Sequence, residues 1–199
     1  MDGMIHGLFN KALQRFASDT YGASLWVRVA AGAGLPQPDV EAMMPADQAS
    51  TEALLRGLSD ALDRPRDAVL EDVGIYLVSH PSSAGIRRLL RFCGAGFEEF
   101  LHSLDDLPDR ARLAVAELDL PALELRQCGP DRYSLSCRPH MRGLGHVLVG
   151  LLRAMADDYG ALVTLEHREA GQGREVIEIA LVLAAFTEGR EFDLGARAG

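Results

Sequence analysis

The side chains able to do chemistry are few in this 199-residue chain, and their spacing is uninformative for most reactions. There are three cysteines, Cys93, Cys128 and Cys137, and no two form a C-x-x-C pair, so neither a disulfide framework nor a structural zinc site is expected. Cys137 could act as a thiolate ligand or an oxidation sensor. The adjacent Arg138 would point to the other face of a strand, however, so a buried structural thiol is the expectation. Cys128 and Cys137 flank a turn but would not stand opposite each other in a tight hairpin. The pairs Asp105-Asp106 and Asp157-Asp158 have the composition of an acid–base or metal site, but their places suit helix caps and helix ends. No nucleophile elbow, phosphate-binding loop or zinc spacing is present, so the chain is not expected to be an enzyme and no metal is expected.

The elements that must position these residues fall into two halves. Ile5, Leu8, Phe9, Ala12, Leu13 and Phe16 recur at helical spacing, and Tyr21-Gly22 breaks that helix. A second helix is predicted over 23–33, with Leu25, Trp26 and Val29 inward, ending at Gly32-Ala33-Gly34 before Pro36 and Pro38. After a proline-rich and acidic connection over 35–50, Ser50 or Thr51 is predicted to cap a helix carrying Leu54, Leu55, Leu58 and Leu62. Another helix runs over 65–78, with Val69, Leu70, Val73, Tyr76 and Leu77 inward. A short helix with Ile86, Leu89 and Leu90 follows, and the stripe resumes in Phe97, Phe100, Leu101 and Leu104.

Beyond Pro121 the period changes to two. Leu123 and Leu125, then Tyr133, Leu135 and Cys137, alternate around a Gly129-Pro130-Asp131 turn and read as a hairpin. Gly143 opens an amphipathic helix with Leu144, Val147, Leu148, Leu151, Leu152 and Met155, and two more strands are predicted over 161–167 and 176–183. The fold class is therefore α+β: a helical lobe over about 1–120, and a four-stranded antiparallel sheet with one covering helix over about 121–186. The polar tail 187–199 is expected to be flexible.

In this order the motifs resemble those of the heme–nitric oxide/oxygen binding (H-NOX) family along residues 4–183. Ile5-His6-Gly7-Leu8-Phe9-Asn10 is similar to the family's opening, and Tyr21-Gly22 followed by Trp26 matches its Y-G-x-x-x-W pattern. Gly74-Ile75-Tyr76-Leu77-Val78 resembles its f-G-x-y-f-v segment, and 97–105 resembles its F-x-x-F-L-x-x-L-D run. Gly143-Leu144 and Gly150-Leu151-Leu152 match the G-L and G-L-L of the sheet-covering helix. Order and spacing together make the resemblance specific.

The resemblance implies a heme held by an iron-ligating histidine after the L-D pair, and by Y-x-S-x-R before the G-L pair, whose hydroxyls and guanidinium suit two propionates. At the ligand position this chain has Pro108, which has no side-chain lone pair. Counting back from Gly143, the Y-x-S-x-R positions hold Cys137, Pro139 and Met141. A shifted reading uses Ser134, Ser136 and Arg138, with serine in place of tyrosine and extra residues before Gly143. The histidines that could offer a substitute ligand are His102, His140 and His146. His102 lies far around a helix from Pro108, and His140 alternates away from Cys137, Pro139 and Met141. Pro121 matches a proline that the family places beside the heme, and also suits a helix-to-strand linker.

The expectation is a sensory or regulatory module that has lost conventional heme binding, with no cofactor. Its pocket, lined by Phe9, Leu13, Leu77, Pro121, Cys137 and Leu148, would be open to a hydrophobic small molecule. The resemblance implies a histidine kinase or a diguanylate cyclase as partner in trans. Two alternatives stay open: a heme sensor of NO or O2 with a displaced axial ligand, and an interaction protein with a collapsed pocket. A net charge of −9 and a pI of about 5.1 argue against nucleic-acid binding. The absence of a signal-like start or a membrane-length apolar run predicts a cytoplasmic chain without membrane contact.

Overall fold

Helix boundaries follow the local chemistry. In a computed structural model, which describes residues 2–41, 46–92, 94–114, 120–139 and 141–183, α1 (Asp2–Tyr21) ends at Gly22, whose φ of 95° few other residues tolerate. The expectations for Cys93, His140 and the tail 187–199 lie outside the described residues. After α2 (Ala23–Gly32), the helix α3 (Gln48–Leu62) is capped by Asp47, whose side chain accepts from the Ser50 amide at 2.7 Å. The cap is therefore Asp47 rather than Ser50 or Thr51; Thr51 lies within the helix and is buried. Pro65 precedes α4 (Arg66–Ser79).

These four helices enclose one core. Leu13, Phe16 and Ala17 of α1 meet Trp26, Val29 and Ala30 of α2, Leu54, Leu55 and Leu58 of α3, and Val69, Leu70, Val73 and Tyr76 of α4. Polar contacts fasten its rim. Tyr76 donates to Asp19 at 2.5 Å, and a strap over 38–40 crosses α1 and α2. In that strap the Trp26 indole N–H donates to the Pro38 carbonyl, and Asp39 accepts from Lys11 at 2.9 Å and from Gln14 at 3.0 Å.

A 3-10 turn over Pro81–Ser83 leads into α5 (Ala84–Arg91), a surface helix that buries Leu90 while Ile86, expected inward, is exposed. Arg87 and Arg91 hold it to Asp158, and the Arg91 guanidinium lies 4.2 Å over the Tyr159 ring. The continuous stripe expected over 97–104 is split. α6 (Phe97–His102) ends, a 3-10 turn covers Leu104–Asp106, and α7 (Leu107–Ala114) starts a new direction. The reason is a tertiary bond: Asp105 in the turn accepts from the Leu125 amide of the first strand at 2.7 Å.

The sheet is wholly antiparallel, with β1 (Leu123–Gly129), β2 (Arg132–Cys137), β3 (Leu162–Ala170) and β4 (Arg174–Leu183) in the order β1-β2-β4-β3. Register slips occur between Gln127 and Gly129, where edge strand β1 carries the extra residue Cys128, and beside Leu162 and Val163, where the extra residue is Val182 of β4. Helix α8 (Leu144–Tyr159) covers the inner face. There Tyr133, Leu135, Cys137, Ile177, Ile179 and Leu181 join Leu152 and Met155, and Phe97, Phe100 and Leu101 of α6, in a second core.

Two helices belong to both cores. From α4, Val73 and Tyr76 enter the first and Val78 the second; from α8, Val147 enters the first and Leu152 the second. They cross glycine on glycine. A methyl group on Gly74 would overlap the Val147 carbonyl oxygen and stand 2.8 Å from the Leu151 nitrogen; one on Gly150 would overlap the Glu71 carbonyl oxygen and stand 3.0 Å from the Ile75 nitrogen. No helix among the described residues is long and apolar enough to cross a membrane.

Candidate functional site

Pro108 is the second residue of α7, a first-turn position in which its missing N–H and fixed φ are tolerated, and it is buried. His102 does not share a helix with it. It ends α6, is exposed, and meets the Tyr133 ring edge-on at 5.7 Å. The acidic pairs are structural. Asp105 takes a strand amide, Asp106 lies 3.8 Å from Arg110, and Asp158 holds Arg87 and Arg91. Among the described residues, no group of three or more His, Cys, Asp or Glu side chains is placed to hold a metal ion.

The residues expected to line one pocket fall into both cores. Leu13, Phe9 and Leu77 pack in the helical lobe, Cys137 and Leu148 pack on the sheet side, and Pro121 is buried just before β1. Cys137, Pro139 and Met141 occupy the end of β2 and its link to α8. Cys137 and Met141 are buried, whereas Pro139 is half-buried on the rim of an open hollow of about 520 Å³ that Arg142, Arg174 and Glu175 also line. Ser134 and Ser136 lie on the opposite, outer face of the sheet, where they donate to Glu178 at 3.2 Å and to Glu124 at 3.5 Å; Arg138 is exposed. The shifted alignment thus draws its two hydroxyls from the face away from α8.

Cys137 stands opposite Glu175 in the β2–β4 register. Burial, aided by the Glu175 charge, pushes its thiol up to about 12, so it is protonated and inert at neutral pH. Native protein treated with iodoacetamide at pH 8 is expected to carry the label on exposed Cys128 and none on Cys137, as read by peptide mass spectrometry. Labelling of Cys137 before denaturation would contradict its placement.

One functional group escaped the sequence reading. Glu175 is 4% exposed, on an inner-face position of β4 in step with Ile177, Ile179 and Leu181. Its Oε1 accepts from the Gly143 amide at 2.7 Å and its Oε2 from the Gly145 amide at 2.6 Å, at the N-terminus of α8. His167 Nε2 donates to the same Oε2 at 3.0 Å. The His167 ring is 4.0 Å from that of His146, which in turn faces Asp67 at 3.6 Å and Glu71 at 3.5 Å on α4. His146, weighed as a substitute ligand, is therefore engaged between α4 and β3. The signal that could have revealed Glu175 was the alternation of β4 itself, which places one acid among apolar inner residues.

Comparison with known proteins agrees with this architecture. The model of a family described as haem-NO-binding matches residues 6–167. The chain is 21% identical over 154 residues to soluble guanylate cyclase gcy-31 of Caenorhabditis elegans, covering 77% of this chain and 22% of that protein. It is 27% identical over 93 residues to the guanylate cyclase soluble subunit beta-2 of Rattus norvegicus, covering 47% of this chain and 14% of that one. The chain thus spans less than a quarter of either curated relative. Among solved structures, the Fe(II) unliganded H-NOX protein from K. algicida superposes with a TM-score of 0.76 at 13% identity, covering 92% of this chain and 99% of that one. A Cs H-NOX mutant superposes at 0.72 and 16%, covering 91% and 98%.

Proposed function

Given that this chain belongs to the haem-NO-binding (H-NOX) family, we propose that it is a sensory or regulatory module that does not hold heme in the family's way and passes its signal to a partner in trans. The observation that carries the reading is Pro108: the residue that the resemblance assigns to the ligand position is a buried proline, whose pyrrolidine ring has no lone pair to offer iron.

The propionate grip gives the same answer. A protonated thiol, a pyrrolidine and a thioether, at Cys137, Pro139 and Met141, supply no charge-assisted donor to a carboxylate, and the α8 amides beside them are already bonded to Glu175. These residues do not fit a heme. With no charged grip, the attraction left for a ligand is apolar, and a hydrophobic small molecule is the class proposed; the residues expected to line its pocket pack into both cores, so its entry requires them to part. The output side is supported by the guanylate cyclase relatives, in which the matched region is a small part of a larger signalling protein; a histidine kinase or a diguanylate cyclase is a partner of that kind.

The test is the absorption spectrum of the purified protein with one equivalent of hemin, ferric and dithionite-reduced. A spectrum like that of free hemin, without saturation and without response to nitric oxide, is expected. A sharp, saturable Soret band that shifts with nitric oxide would reject the reading and direct the search to a displaced ligand.

A further inference from the structure

A carboxylate buried to the extent of Glu175 is unfavourable unless its charge is met by donors, and three donors converge on it. One oxygen takes the Gly143 amide, while the other takes the Gly145 amide and the His167 imidazole. The amides are those of the N-cap residue and of the second residue of a 16-residue helix, where unpaired N–H groups and the helix dipole both favour an anion.

The cradle is shaped around these two oxygens. A methyl group on Gly145 would overlap Glu175 Oε2 and stand 2.6 Å from His167 Nε2, and Gly143, at φ 85°, would direct one at the Arg66 guanidinium, 2.5 Å away. It is also keyed into the fold beyond itself, since the His167 ring lies against that of His146 at an interplanar angle of 44°, and His146 faces the α4 acids. Two neighbours of Glu175 are residues that the resemblance assigns to the family's propionate grip: Cys137 is its register partner on β2, and Pro139 shares the lining of its hollow.

We propose that Glu175 is an internal surrogate for a ligand carboxylate: Gly143, Gly145 and His167 form a carboxylate site that the chain fills from its own β4 strand. The cradle stands on its geometry; its meaning as a replacement for heme propionates rests on the heme-free reading above. While Glu175 is seated, the cradle refuses acidic ligands, so that whatever the module senses must do without a carboxylate at this place.

The experiment is chemical rescue in the full-length chain. Glu175→Ala removes the occupant and leaves the three donors, and the hollow of about 520 Å³ lined by Glu175 gives small anions a route to them. The variant is expected to melt below the wild type. Sodium acetate or formate should raise its melting temperature with the logarithmic concentration dependence of a linked ligand, while sodium chloride at matched ionic strength should not. The wild type should show no acetate-specific shift. Equal responses to acetate and chloride, or equal acetate responses of variant and wild type, would overturn the proposal.

If Glu175→Ala does not fold, the near-isosteric Glu175→Gln carries the test. Its amide keeps one acceptor, so hydrogen exchange at Gly143 or Gly145 should speed up by 10-fold or more, on the order of 1.4 kcal/mol. Unchanged exchange at both glycines would refute it. These measurements contain no heme, so their failure leaves the hemin spectrum of the wild type to decide the earlier reading alone.

Discussion

Gly150→Ala is expected to lower the melting temperature by about 6–12 °C, or to abolish cooperative unfolding, although it adds a single methyl group. Overpacking costs roughly 1–3 kcal/mol where side chains can yield. Here the obstacles are the backbone of α4: the Glu71 carbonyl oxygen, its carbon at 2.8 Å and the Ile75 nitrogen at 3.0 Å. No rotamer change relieves them, so α4 must move, and the upper end of that range applies, at about 2–4 °C per kcal/mol for a chain of this size. Gly74→Ala meets the Val147 carbonyl and should behave alike. The double variant should cost less than the sum, because a crossing already parted by one methyl admits the second. Gly85→Ala is the control. Its position in α5 is open within 4 Å, and alanine there should stabilise by about 0.4–1 kcal/mol. A Gly150→Ala melting curve within 1 °C of wild type would mean that the α4–α8 crossing is not as close as described.

Trp26→Ala is expected to cost about 3–5 kcal/mol, the range for removing a large aromatic ring from a packed core. Trp26 is 2% exposed, and its ring lies in the helical-lobe core while its N–H holds the strap at Pro38. Trp26→Phe separates the two contributions. It keeps most of the apolar filling and loses the bond to Pro38, at about 1 kcal/mol for the bond. Urea unfolding followed by circular dichroism reads both variants; a loss under 1 kcal/mol for Trp26→Ala would show that the ring is not part of the core. Trp26 is also the single tryptophan, so wild-type fluorescence reports the helical lobe alone. Because α4 and α8 serve both cores, its transition should coincide with the dichroism transition.

Periodicity read the long helices well because burial and spacing agree there: Leu13 and Phe16 in α1, Val69, Leu70 and Val73 in α4, and Leu152 and Met155 in α8 are all buried. The hairpin was legible from its Gly129-Pro130-Asp131 turn, and its register puts Leu123 opposite Cys137, so Cys128 and Cys137 do not face each other. Failures came where distant partners decide. Ile86 fits a helical stripe, but α5 is held from outside by Asp158 and turns only Leu90 fully inward. The stripe over 97–104 runs into a 3-10 turn because Asp105 is claimed by β1, twenty residues on. At the candidate site, the order of motifs assigns Pro108, Cys137, Pro139 and Met141 through the resemblance alone. Motif order contains nothing about Glu175, two of whose three partners lie 30 and 32 residues away in the chain.

The register slips at the two ends of the sheet limit how other molecules can be received. A flat, regular edge strand is a template on which another strand can be laid, in β-augmentation or in edge-to-edge aggregation. β1 breaks its ladder between Gln127 and Gly129 and carries Glu124 and Arg126 on its exposed positions; β3 is continuous, its partner β4 bulging at Val182, and is protected by the exposed charges Glu166, Arg168 and Glu169. Bulges twist an edge away from its neighbour, and charges resist desolvation there. Both edges therefore disfavour strand addition as a way of receiving a second chain.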